Sequence, residues 1–175
     1  MQILICIISG IFWAIFDITR KLCLKHTDPR TLLIIFSLVQ IIFFSAWSIK
    51  ESFFLKILPY SLPGLILVLI GIFSALIFLK SIKESDLSLT IPLLSFSPLF
   101  SSFFSLIVLD EELNIEQFIG ILGVILGTLV LYSDKLHPAY FLKSFSNIIN
   151  NSSAKLMILV SLLWSLTPVL DKVCL

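Results

Sequence analysis

Six stretches of this chain, 3–22, 31–49, 62–79, 87–109, 114–132 and 155–170, are mostly apolar and nearly free of charge. Each is about as long as it must be to cross a bilayer, since roughly 30 Å of hydrocarbon is spanned at about 1.5 Å per helical residue. Lipid offers a backbone no hydrogen-bond partner, and these stretches are too long and too uniformly apolar for barrel strands, so helix is forced. The expected fold class is an all-α, polytopic membrane helix bundle of about six transmembrane helices.

Composition closes off the alternatives. Residues from the set AVILMFWYC make up 58% and charged residues 13%, against roughly 45–50% and about 25% in a soluble domain. With a mean hydropathy of +1.11, too little polar surface exists to cover a water-facing domain, which excludes a soluble enzyme and a secreted disulfide scaffold. Twelve basic against eleven acidic residues leave a net charge of +1, so no field steers nucleic acid to the chain. Cys6, Cys23 and Cys174 lie in apolar runs without CxxC or histidine spacing and read as packing residues. No metal or cofactor is expected. The first basic residue is Arg20, so the opening helix lacks the charged start of a signal peptide and is expected to stay.

The connections carry turn chemistry. Asp28-Pro29 breaks the chain before the second span, Pro59 and Pro63 flank the beginning of the third, and Asp86 is placed to cap the fourth. Asn114 to Gln117 reads as a capping box for the fifth, with Gln117 reaching back to the start of the helix. Residues 133–154 are long enough for a linker and contain an Asn- and Ser-rich stretch suited to a hinge.

Sliding the chain against itself aligns residues 5–24 with 156–175 at an offset of 151. The identities are Ile7/Ile158, Trp13/Trp164, Lys21/Lys172, Cys23/Cys174 and Leu24/Leu175. Trp, Lys and Cys are scarce in this chain, so their coincidence in one register marks an internal repeat. The unit, 1–132, holds five spans, and an odd number returns the chain to the membrane from the opposite side. Residues 155–175 then open an inverted second unit, the architecture of secondary transporters. Four further spans would complete that unit. A truncated reading frame, a fragment and a half that needs a partner, either a second copy or a missing second half, all fit.

The stretch from Leu79 to Tyr132 carries a more specific pattern. Ser95-Phe96-Ser97-Pro98 in one span is followed by the turn Leu109-Asp110-Glu111-Glu112-Leu113. Gln117-Phe118-Ile119-Gly120 then opens a helix that runs on to Gly123 and Gly127. With Trp13 and Lys21 in the first helix and Trp164 and Lys172 in the sixth, this resembles the EamA-like branch of the drug/metabolite transporter superfamily, over one whole repeat and the start of the next. The resemblance implies a ten-helix carrier of small metabolites with a substrate pocket between the repeats, and no chemical catalysis. Asp110 stands where the family often has glycine.

Within this frame, Asp17 lies four residues beyond Trp13, deep in the first span. Its helical neighbours are Arg20 and Lys21. An ionisable group at such depth marks a pathway or proton relay; the plainer reading is an ion pair whose cations snorkel to the headgroups. Lys21 is set above Arg20 because Lys172 repeats it, and two such cations could hold an anionic substrate. Span four is the most polar helix. Pro92 and Pro98 free carbonyls at Ser88 and Leu94, and Ser97, Ser101 and Ser105 form a hydroxyl ladder at i+4 steps. That face either lines the cavity or packs closely with back-bonded serines. The candidate pocket is therefore Trp13, Asp17, Lys21, Ser97, Ser101, Trp164 and Lys172. Gly64, Gly71 and Ala75, and Gly120, Gly123 and Gly127, read as helix-packing grooves. Glu111 suits the dipole of the helix that follows it, with a proton-coupling role as the rival reading, and Trp47 reads as an interfacial anchor.

Lys and Arg counts place nine of twelve on the side of the first, third and fifth connections, which puts the N-terminus outside. The resemblance implies the reverse, and orientation stays open. The expected setting is a bacterial-type plasma membrane, with the lipid bilayer and a small-molecule substrate as partners. A non-transporting subunit or remnant, whose polar residues only hold helices together, is the rival function.

Overall fold

A computed structural model describes residues 2–50, 57–131 and 151–173. Their helices include α1 (Gln2–Cys23), α2 (Pro29–Lys50), α3 (Ile57–Glu84), α4 (Leu87–Thr90), α5 (Ser97–Leu109), α6 (Ile115–Leu131) and α7 (Ser152–Val173), with a 3-10 segment, Ile91–Phe96, between α4 and α5. Among the described residues, five segments are long and apolar enough to cross a membrane, Ile3–Cys23, Pro29–Ile49, Leu62–Glu84, Ile91–Leu109 and Ser152–Lys172, and Ile115–Thr128 is a shorter apolar helix. The chain is thus a polytopic helical membrane bundle. It divides into two compact units, α1 with α2 and α3 to α7. Of the expected linker, 133–150 lies outside the described residues, and 152–154 already belong to α7; Cys174 also lies outside them.

In the first unit, Pro29 opens α2 as its first residue, where proline's missing N–H costs nothing, and Asp28 supplies the carbonyl that receives the Leu32 N–H at 3.0 Å. The rings of Phe16 and Phe36 join the two helices at 5.3 Å between centroids. Most other large apolar side chains of these helices are exposed, as suits surfaces that face lipid.

In the second unit, α3 begins at Ile57, earlier than the prolines suggested. Pro59 falls in the first turn, where backbone N–H groups have no partner anyway, and Pro63 is accommodated inside the helix. Span four is the larger departure. It is three pieces, because Pro92 cannot donate to Ser88 and Pro98 cannot donate to Leu94. The chain tightens to 3-10 geometry instead, and the Ser97 N–H takes the Leu94 carbonyl that was expected to be left bare. Asp86 occupies the cap position of α4 without a side-chain cap bond; its carbonyl receives both the N–H and the hydroxyl of Thr90, at 3.2 and 3.1 Å. One half of the capping box is present, the Asn114 N–H donating to Gln117 Oε1 at 3.1 Å.

The core of this unit lies where α7 packs on α3, α5 and the 3-10 segment. Ser81 donates to the Ser153 carbonyl at 2.8 Å, and Trp164 Nε1 donates to Ser74 Oγ at 2.9 Å, so α7 runs antiparallel to α3. Asn151 starts α7 by accepting the N–H groups of Ser153 and Ala154 at 2.9 and 3.2 Å, as an N-cap asparagine does. Small hydroxyl residues make the contact close: Ser74, Ser81, Ser161 and Ser165 are buried, alongside Met157, Val160, Phe78 and Ile82. In lipid no hydrophobic force drives helices together, so small residues, interdigitated chains and interhelical hydrogen bonds hold this interface. α6 is tied in by Ser95 and Thr128, whose hydroxyls lie 2.5 Å apart.

Candidate functional site

The candidate residues fall into two groups, one in each unit. In α1, Arg20 Nη1 donates to Asp17 Oδ1 at 3.0 Å, and both side chains are largely buried, at 16% and 17% exposure. One helical turn separates them, which brings their heads together on one face. The Arg20 guanidinium lies 3.9 Å from the Phe16 ring centroid, and 5.7 and 5.8 Å from those of Trp13 and Phe36. Aromatic faces attract a cation that is largely removed from water. The cluster therefore centres on Arg20, which sequence reasoning set below Lys21. Lys21 sits beside it, half-buried. Trp13 also lines a shallow hollow of about 340 Å³ with Ser9, Phe12 and Phe16.

The second group surrounds a larger cavity, of about 870 Å³, between α5 and α6. From α5 it takes Pro98, Ser101, Ser102 and Ser105, and from α6 Gln117, Gly120, Ile121 and Val124. The α5–α6 turn adds Glu111, Glu112 and Leu113, and α7 adds Lys172. Asp110 builds that turn. It ends α5 in the left-handed region, with φ 52° and ψ 32°, and its N–H returns to the Ser105 carbonyl. Helices commonly end in this way, usually on glycine, with Asn or Asp as the tolerated substitutes. The reversal swings Glu111 back over the end of α5, where Ser105 Oγ donates to Glu111 Oε2 at 2.5 Å. On its other oxygen Glu111 accepts from Lys172 Nζ. The hydrogen bond from Lys172 comes first, and that from Ser105 second, in holding the Glu111 carboxyl below the usual carboxylate range.

Of the sequence candidates, Ser101 and Lys172 thus share one cavity with Glu111, Pro98 and Gly120. Ser97 starts α5 and is not among the lining residues. Trp164 faces α3, with its ring 5.3 Å from that of Phe78. Pro92 lies in the 3-10 segment, and Gly64 is half-buried in α3. A methyl group at Gly71, Gly120, Gly123 or Gly127 would meet nothing within 4 Å, so these faces hold no close helix neighbour among the described residues. Ser102, Glu112 and Gln117 were not singled out for the pocket. Ser102 was legible only as one more serine of span four, and Gln117 only as a cap. Among the described residues, no cluster of His, Cys, Asp and Glu is placed to hold a metal ion.

Residues 1–133 match the EamA-like transporter family. An uncharacterized protein of Methanocaldococcus jannaschii is 33% identical over 76 residues, which are 43% of this chain and 53% of that protein. The chain spans about half the length of that relative. No solved structure matches. With 133 of its 175 residues inside the family match, the chain belongs to the EamA-like transporter family.

Proposed function

We propose that the chain works as one five-helix repeat, with the opening helix of an inverted second repeat, in a secondary transporter that moves a small polar metabolite by alternating access. The observation that supports this best is the seating of α7. This helix bears the Trp and Lys of α1 at the same register, yet it runs antiparallel to α3, with Ser153 at Ser81 and Trp164 at Ser74. Alternate spans point the same way through a membrane, so a first helix antiparallel to the third is what inversion requires. The cavity between α5 and α6 then lies beside an inter-repeat contact, Glu111 to Lys172. Asp17 is the candidate for a coupled proton, with Trp13 and Lys21 beside it in the first unit as candidates for substrate contact; Ser97 and Trp164 are the corresponding candidates of the second unit.

Proteoliposome uptake of a panel of small metabolites tests the reading. Saturable flux that requires the protein supports it, and sealed vesicles that take up none of the panel favour the non-transporting subunit instead. That second reading draws on the open glycine faces of α3 and α6, which further helices could cover. The intact mass of the natively expressed product distinguishes the arrangements: 19.7 kDa means that any second half comes from another chain, and roughly 30 kDa, four spans more, means that it follows α7. If Asp17 carries the coupled proton, Asp17→Asn removes the pH dependence of flux, and unchanged pH dependence rejects that role.

A further inference from the structure

Two of the serines that line the α5–α6 cavity have a fixed hydrogen-bonding sense, whereas Gln117, whose Oε1 accepts the Asn114 N–H, keeps an amide donor there. Ser102 already donates its proton to the Pro98 carbonyl at 2.7 Å, and Ser105 donates to Glu111. Their remaining lone pairs can only accept. Glu111 and Glu112 add acceptor oxygens and two negative charges against the single positive charge of Lys172, so the lining carries one net negative charge. Lys172 Nζ itself lies on Glu111 although its side chain is 56% exposed. It is an alkylammonium at the end of a flexible stem, a group with the same charge and donors as a free amine.

We propose that the cavity binds a small organic cation, an amine or diamine without a carboxylate, whose ammonium replaces Lys172 Nζ on Glu111 while the serine oxygens accept its other N–H groups. A carboxylate-bearing ligand is disfavoured because it would face two glutamates. Lys172 is then a built-in competitor that closes the site until a ligand ammonium displaces it. As a statement of substrate class this rests on the transporter reading; the binding step is tested apart from it.

The test titrates the whole chain, purified in neutral detergent, with putrescine, ethanolamine and acetate, reading heat by calorimetry and melting temperature. Saturable binding of either amine and none of acetate is expected. Glu111→Gln should weaken amine binding about tenfold or more, as for loss of a charged hydrogen bond. Lys172→Gln should strengthen it several-fold, a gain that misfolding cannot produce. The proposal is overturned if neither amine binds the wild type, if acetate binds through Lys172, or if Lys172→Gln leaves amine affinity unchanged or lower. Flux measured beside binding separates the two readings: amine binding without flux of any solute upholds the site and removes the transporter reading, whereas flux of other solutes with no amine binding does the opposite.

Discussion

Trp164 Nε1 donates to Ser74 Oγ at 2.9 Å, joining α7 to α3 across ninety residues of chain. The indole is thus both a packing block against Phe78 and a donor. Trp164→Phe, which keeps the ring, should cost about 0.6 kcal/mol, the usual scale of an interhelical hydrogen bond in a membrane protein. Trp164→Ala should cost about 3 kcal/mol or more, the range for emptying a large aromatic site. Denaturant titration in mixed micelles measures both. Equal losses would mean that the ring contributes nothing beyond its N–H.

At Asp110 the backbone is left-handed. Asp110→Gly should leave stability unchanged or raise it by up to about 1 kcal/mol. Asp110→Val should lower it by about 1–2 kcal/mol, because a β-branched side chain crowds the carbonyl in that region. Melting curves of the two variants in the same detergent are the check.

The Ser95–Thr128 pair should act as one unit. Thr128 donates to the Val124 carbonyl of its own helix at 2.9 Å and Ser95 to the Pro92 carbonyl at 2.6 Å, so two protons serve three hydrogen bonds and one of them is shared between the hydroxyls. Thr128→Val should loosen α6 by roughly 0.5–1.5 kcal/mol, seen as faster proteolysis or hydrogen exchange in α6 than in α3. Equal rates in the two helices would reject the assignment.

The Glu111–Lys172 pair has a defined pH window. Its carboxyl is held below its ordinary value of 4.5, so the stabilisation is fully present above that value and is lost as pH falls through the lower, folded one. The difference in melting temperature between wild type and Lys172→Gln should therefore be constant from about pH 8 to about pH 5 and vanish in stronger acid. A difference that fades near neutrality would contradict the assignment.

Asp17 and Arg20 should be strongly non-additive. Removing one charge leaves the other largely buried without its counterion, so Asp17→Asn and Arg20→Gln should each cost more than half of what the double variant costs, with a coupling of about 0.5–3 kcal/mol. A double-mutant cycle on unfolding free energy measures it.

Much of this architecture was legible because lipid leaves the chain few choices. Runs of apolar residues had to be helices, Asp28-Pro29 marked the break before the second of them, and Gln117 could reach only the turn before it. The break in span four was half legible: Pro92 and Pro98 announced lost donors, but not that a 3-10 turn would bring the Ser97 N–H to the Leu94 carbonyl. The Arg20 cluster was hidden for a different reason. Asp17 was visible at i−3, but with sixteen phenylalanines in the chain nothing marked Phe16 and Phe36 as the two that meet it. The partnership of Glu111 with Lys172 depends on how α7 is seated and on the backbone sign at Asp110, neither of which spacing encodes.

The order in which the ribosome delivers these helices gives the serine-lined interface a further meaning. At roughly 5–20 residues per second, α7 reaches the bilayer several seconds after α3. During that wait Ser74 is not stranded in hydrocarbon, because its hydroxyl donates to the Gly71 carbonyl of its own helix at 3.1 Å, as serines in membrane helices do. When Trp164 arrives it finds a lone pair already aimed outward by that bond. α3 is in this sense prepared for late docking, and biogenesis can pause between the fifth and sixth spans with that serine already satisfied.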